Sequence, residues 1–285
     1  MSDVRPRFVT LREAAATIQD GERVGVGGTL FTRLPMALVR AVATRGARAL
    51  SYVSWGGGLP LEVLLEHDAV VELTFCFSSL DIFGPAPRFR SAMERDLLRA
   101  DERTALAFIQ GLEAAKQRLP SFPMQPPRGS DMLSRSPGTV KTHDPITGAG
   151  IAAAAAIPVD VALLHCQRAD ADGNLEISGA RGLDALLAAA SGRVVATVEE
   201  VVPRGQLGRM PQSLVLPRQL VDVIALQPGA AHPSSCLPYY VADFRALACA
   251  AAGDLGGTAS PERMQLLSAG ARITVESVRS QLGHS

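Results

Sequence analysis

Apolar residues return along this chain at two periods. At Leu11, Ala14, Ala15 and Ile18 the spacing is helical behind Thr10 as a cap, predicting a helix to about Gln19. A short apolar strand follows the Asp20-Gly21 turn and stops at Gly27-Gly28. Leu34, Leu38, Ala41 and Val42 then form the buried stripe of a helix over 34–44, which Gly46 ends. Residues 49–54 predict a second strand that runs into Trp55-Gly56-Gly57-Gly58, with Leu61, Leu64 and Leu65 marking the next helix. A third strand, over 70–77, runs into Ser78-Ser79-Leu80-Asp81.

Residues 88–99 and 103–117 read as two helices. Between 119 and 150 prolines alternate with glycines and serines, which predicts an irregular loop insertion in a single domain spanning 1–285. Strands resume over 159–166, 175–178, 193–199 and 221–226, with a helix over 182–190 and helices after Ser235 to the end. Strands that alternate with helices predict the α/β class, as an open, mostly parallel sheet with helices on both faces. Ligands of such sheets bind beyond the carboxyl ends of the strands, so the glycine and serine endings are expected on one edge.

Composition narrows the setting. With 47% hydrophobic and 20% charged residues the chain reads as compact and globular. Lysine plus arginine equals aspartate plus glutamate at 28 each, which argues against a nucleic-acid or membrane partner. Cys76, Cys166, Cys236 and Cys249 lack Cys-x-x-Cys spacing and read as reduced core thiols, with a cytoplasmic location expected. The first residues carry no apolar stretch of a signal peptide. His165-Cys166 lies mid-strand without ligand spacing, so no metal is expected.

The candidate chemistry lies at the strand ends. Gly27 and Gly28, with Thr29, could bring backbone N–H groups close to an anion, or could simply close a tight turn. Arg33 is either a carboxylate clamp or a solvated arginine at the start of a helix. Ser78 and Ser79 either face the same cleft or cap a helix. Arg88 and Arg90 suit surface ion pairs, and His232 suits a structural loop or an interface between subunits. Glu199 and Glu200 end a strand, with one expected to turn to the active edge as an acceptor.

In order, these segments resemble the family I CoA-transferases, and within them the A (α) half of glutaconate CoA-transferase. The matching residues are Asp20-Gly21, Gly27-Gly28 and Arg33-Leu34-Pro35, then Cys76-Phe77-Ser78-Ser79, Arg88-Phe89-Arg90 and Leu119-Pro120-Ser121-Phe122-Pro123. Further on stand Gly129-Ser130-Asp131, Val159-Asp160-Val161, Glu199-Glu200 and the run from Gly229 to Cys236. Thr29 departs from the phenylalanine usual in the family, whereas Arg33 agrees with the glutaconate-type members.

The resemblance implies an enzyme that takes coenzyme A as substrate, without a permanent cofactor, between an acyl-CoA and a free carboxylic acid. It implies a glutamate nucleophile, which forms an enzyme–CoA thioester through an acyl anhydride, in a Glu-Asn-Gly-like turn of a separate B (β) subunit. No such turn occurs here; Glu176-Ile177-Ser178-Gly179 has the wrong spacing. The chain should therefore shape an acyl pocket, hold no catalytic residue of its own, and pair with a B subunit in a larger hetero-oligomer. The same architecture also resembles hydrolases that open a ring in a CoA ester of steroid breakdown. The acid that their α half carries would fall on Ala105, with Glu102 one turn earlier. A non-catalytic effector-binding domain shares the wider fold, but usually follows a basic DNA-binding module, and none is evident.

Overall fold

The structure is a computed structural model that describes residues 6–126, 129, 131–210 and 212–255. Strand β1 (Arg7–Val9) leads into α1 (Leu11–Ala16), where Thr10 and Glu13 form a reciprocal capping box. Then come β2 (Arg23–Val26), α2 (Met36–Thr44), β3 (Leu50–Gly56), α3 (Gly58–Glu66), β4 (Val70–Phe77) and α4 (Pro87–Glu94). Gly46 takes φ +86° just past α2, which a side chain would strain, and so ends the helix where the sequence predicts.

Several elements differ from the sequence reading. The helix predicted over 88–99 stops at Glu94, and Arg99–Glu102 forms strand β5 before α5 (Ala105–Lys116). The Arg-Ala-Asp-Glu of β5 has no β-branched residue and no buried position, so its side chains carry no pattern that marks a strand. The expected loop over 119–150 instead contributes β6 (Ser121–Met124), α6 (Met132–Arg135), β7 (Thr139–His143) and the start of β8 (Gly150–Ala155). These strands form an antiparallel sheet in the order β6-β8-β7, so Pro123 sits on an edge strand that tolerates it.

Beyond it lie β9 (Val159–Asp170), β10 (Leu175–Ile177), α7 (Asp184–Ala190), β11 (Ser191–Val202), β12 (Leu214–Leu216), β13 (Val223–Leu226) and α8 (Phe244–Ala251). The helices predicted past Leu255 lie outside the described residues.

Among the described residues ten strands form one sheet with the main path β1-β13-β11-β9-β2-β3-β4-β5, paired in parallel throughout. Only β10 and β12 add antiparallel pairs. Alternate residues serve opposite faces. Val161 and Leu163 join the core under α1, α2 and α3, while Ala162 and Leu164 join the core under α5 and α7. Helices thus cover both faces, as the sequence pattern predicts. Strand order reverses direction between β2 and β9, and a crevice outside the carboxyl ends at such a switch point is where these sheets hold ligands. No helix among the described residues is long and apolar enough to cross a membrane.

Candidate functional site

The turn after β2 lies at that switch point. Gly27 N–H donates to Leu163 O at 3.0 Å, and a Cβ on Gly27 would stand 2.5 Å from Leu164 Cδ2. Gly28 has φ +84°, and its N–H donates to Asp184 Oδ1 at 2.7 Å. Thr29 N–H donates to Thr32 O at 2.9 Å. All three N–H groups that the sequence offers to a thioester or an acid are therefore engaged within the protein. The glycines are required for close approach to Leu164, Asp184 and the Arg33 carbonyl, which is the tight-turn alternative.

Arg33 is engaged in the same way. Its side chain is 0% exposed. Nη1 donates to Asp184 Oδ2 at 2.5 Å and to His165 O at 3.2 Å, and Nη2 donates to Ala180 O at 2.5 Å. Only Nε lacks a partner. Burial by itself would lower the pKa of the guanidinium, but the charge and hydrogen bond of Asp184 hold it above its ordinary value. Arg33 is therefore not solvated, and both its terminal nitrogens are taken by protein acceptors; it holds Asp184, which in turn holds Gly28.

Two cavities flank the turn and share Val26, Gly27, Gly28, Thr29, Ser54 and Trp55. The one on the α3 side, which reaches Ser79 and Asp81, measures only about 20 Å³. The one on the α5 and α7 side measures about 280 Å³, with Phe108, Ile109, Leu112 and Leu187 in its walls and Ala105 among its lining residues. Trp55 is held edge-on against Phe77 with ring centroids 4.9 Å apart. Ser78 Oγ is buried without a partner, pressed against the space that a Cβ on Gly57 would fill. Ser79 Oγ accepts from Asp81 N–H at 3.2 Å. Gly57 and the two serines thus sit at the expected edge, with only Ser79 of the serines facing a cavity.

Glu199 does not reach either cavity. It is buried, accepting from Tyr240 O–H at 2.5 Å and from Gly229 N–H at 2.8 Å. His165 Nε2 lies 2.8 Å from Glu199 Oε1 without hydrogen-bond alignment, and its Nδ1 is 2.8 Å from Thr197 Oγ1. Possible ligand atoms of His165, Glu199 and Cys236 fall within 4.8 Å of one another. Both Glu199 oxygens already accept protein hydrogen bonds, and burial, with the Glu199 charge, holds the Cys236 thiol well above its usual pKa. A metal would have to displace those bonds and take a proton from that thiol. Glu200 is exposed and accepts from Tyr239 O–H at 2.9 Å. Glu176, the middle residue of β10, is buried and paired with Arg168. Arg88 pairs with Glu66, Arg90 with Glu94, and His232 with Asp243, as surface or structural contacts.

Asp184 is the site residue that sequence reasoning missed. Its one local signal is a lone acid in the first turn of an alanine- and leucine-rich helix.

A family profile described as Coenzyme A transferase matches residues 8–227. The A subunit of the 3-oxoadipate CoA-transferase of Pseudomonas knackmussii is 31% identical over 84% of this chain and 85% of that protein. The IpdA subunit of the cholesterol ring-cleaving hydrolase of Mycobacterium tuberculosis is 32% identical over 82% of this chain and 83% of its own. The A subunit of the glutaconate CoA-transferase of Acidaminococcus fermentans is 26% identical over 82% and 79%. The crystal structure of a variant of the decarboxylase AibA/AibB superposes with a TM-score of 0.78 at 34% identity, over 93% of this chain and 98% of that one. A parallel sheet with its cavities at the switch point, carried on a sequence matched over most of its length, makes this chain an A-type subunit of the Coenzyme A transferase family.

Proposed function

We propose that this chain is the A subunit of a two-component enzyme that moves CoA between an acyl-CoA and a free carboxylic acid, the reactive glutamate coming from a separate B subunit. The observation that carries this reading is a chamber at the switch point that has space but, among the described residues, no carboxylate free to attack. The one ionisable wall residue among them, Asp184, is held by Arg33 and Gly28. Gly27, Gly28 and Thr29 form the shared wall between the cavities, and Ser79 lines the smaller one.

In the reaction, the partner's glutamate attacks the acyl-CoA carbonyl and displaces CoA thiolate, giving a mixed anhydride. The thiolate then attacks the glutamyl carbonyl, the donor acid leaves as a carboxylate, and CoA stays on the partner as a thioester. The acceptor acid runs these steps in reverse. This chain's part is to seat the acyl group and exclude water.

Relatives carry transferase, hydrolase and decarboxylase names, so the site has to discriminate. The hydrolase reading wants an acid at Ala105, and Ala105 lines the larger cavity, while Glu102 is exposed and outside its walls. The reading also takes the pair to be cytoplasmic and to assemble into a larger hetero-oligomer. Co-purified subunits incubated with acyl-CoA and then treated with borohydride or hydroxylamine test it. The expected product is a B-subunit glutamate reduced to the alcohol or converted to the hydroxamate, with CoA released and this chain alone inactive. A CoA adduct on this chain, or turnover by the lone chain, overturns it.

A further inference from the structure

The two cavities beside the Gly27-Gly28 turn differ in what they can hold. The smaller, at about 20 Å³, takes about one water. The larger, at about 280 Å³, takes an organic group, and its walls are Trp55, Phe108, Ile109, Leu112 and Leu187. Its lining includes no lysine, arginine or histidine among the described residues. The one ionisable group there, Asp184, is itself an acid. Arg33, the nearby cation, stands behind Asp184 with both terminal nitrogens donating to protein acceptors.

An acyl chain with a second carboxylate at its far end would bring that charge into an apolar chamber beside an acid, with no counter-ion in the wall. Such a charge is strongly disfavoured. An aliphatic tail gains instead with each methylene it removes from water.

We propose that the acid this chain handles is a monocarboxylic acid with an apolar tail, seated in the chamber between Trp55 and Leu187. The proposal rests on the transferase reading only in taking the occupant to be the acyl group of a CoA ester. The reacting carboxyl stays by the exposed Ala105 and Gly182, and the tail runs towards the buried Phe108 and Leu112.

Trp55 is the sole tryptophan of the sequence, so the protein's own fluorescence reports on the chamber wall. The full chain is titrated with hexanoate and with glutarate at neutral pH. Hexanoate is expected to change the emission with an apparent Kd at least tenfold below that of glutarate. In Ile109→Arg, which places a cation at a partly buried wall position of α5, the ratio is expected to shrink or invert. Equal affinities, a preference for glutarate, or no response to either acid overturns the proposal.

The same acids, offered as CoA acceptors to the assembled A–B pair with acetyl-CoA as donor, separate the two readings. Hexanoate binding at Trp55 with no transfer to either acid sinks the transferase reading and leaves the substrate class standing. Transfer to glutarate at least as fast as to hexanoate sinks the substrate class alone.

Discussion

The carboxyl edge of the main sheet has an open half and a closed half. On the open side β2, β3 and β4 lead into glycines or serines, and the space beyond them remains as cavities. On the closed side β9 and β11 run for twelve residues each, and His165, Thr197, Glu199 and Tyr240 fill the gap with mutual contacts. Both halves carry polar residues near their strand ends. The difference is that in the closed half the side chains pack against one another and fill the gap, whereas the open half leaves space at the turn. Polar chemistry at a strand end therefore marks a ligand site only when volume accompanies it.

The Arg33–Asp184 pair stands at the seam between the halves, and breaking it should have the largest effect. Asp184→Ala leaves a fully buried guanidinium unpaired and Gly28 N–H without its acceptor. Loss of about 3–5 kcal/mol of stability is expected, read from urea denaturation. Arg33→Met combined with Asp184→Leu should recover much of that loss, because it removes both charges. If the double variant is no more stable than Asp184→Ala, the pair does not act as a unit.

A second test is alkaline. Cys166, on β9, is fully buried and its thiol is pushed up from 9.0 to about 12 by burial. The unfolded chain releases that proton first, so it binds fewer protons than the folded state and stability falls as pH rises between those values. The slope is about 1.4 kcal/mol per pH unit for one group. Cys166→Ala should flatten the pH dependence of the denaturation midpoint above about pH 9. An unchanged slope would mean that this thiol ionises alike in both states.

The parallel sheet and its helices were legible in the sequence, because glycine and serine endings follow apolar runs at Gly27, Gly56 and Ser78. Strands β1 and β5 were not: they are three and four residues long and lie at the sheet's edges, where periodicity has too few positions to register. The edge where the sequence expects a ligand does hold the two cavities, but which groups there are already engaged was not legible. Gly28 and Arg33 find their partner in Asp184, 156 and 151 residues away, and no local pattern reveals whether an N–H or a guanidinium is already taken. Thr29 and Ser79 do line cavities, whereas Glu199 belongs to the closed half.

On the open side, Gly28→Ala tests whether the turn is a matter of space. The residue has φ +84°, and an added Cβ would lie 2.7 Å from Arg33 O, a backbone atom that cannot swing aside. The expected cost is about 1–3 kcal/mol in thermal or urea unfolding. Weakened hexanoate binding at Trp55 should accompany it, because the turn is a wall of the chamber.

The smallest expected effect belongs to one of two neighbouring tyrosines that bind two neighbouring glutamates, and the other is its contrast. Tyr240 O–H donates to the buried Glu199 and accepts from Ala231 N–H at 3.0 Å. Burial and the Glu199 charge raise its pKa well above the ordinary value. Tyr240→Phe strands a carboxylate oxygen and an amide, each costing roughly 1–3 kcal/mol when buried and unsatisfied. Tyr239 makes the same bond to Glu200, whose side chain is exposed, so water replaces the lost phenol and Tyr239→Phe should cost about 0.5 kcal/mol or less. Neither change touches a cavity wall, so hexanoate titrations of both variants should match the parent chain. Equal losses of stability would mean that Glu199 is reached by water, and the closed half would then not be closed.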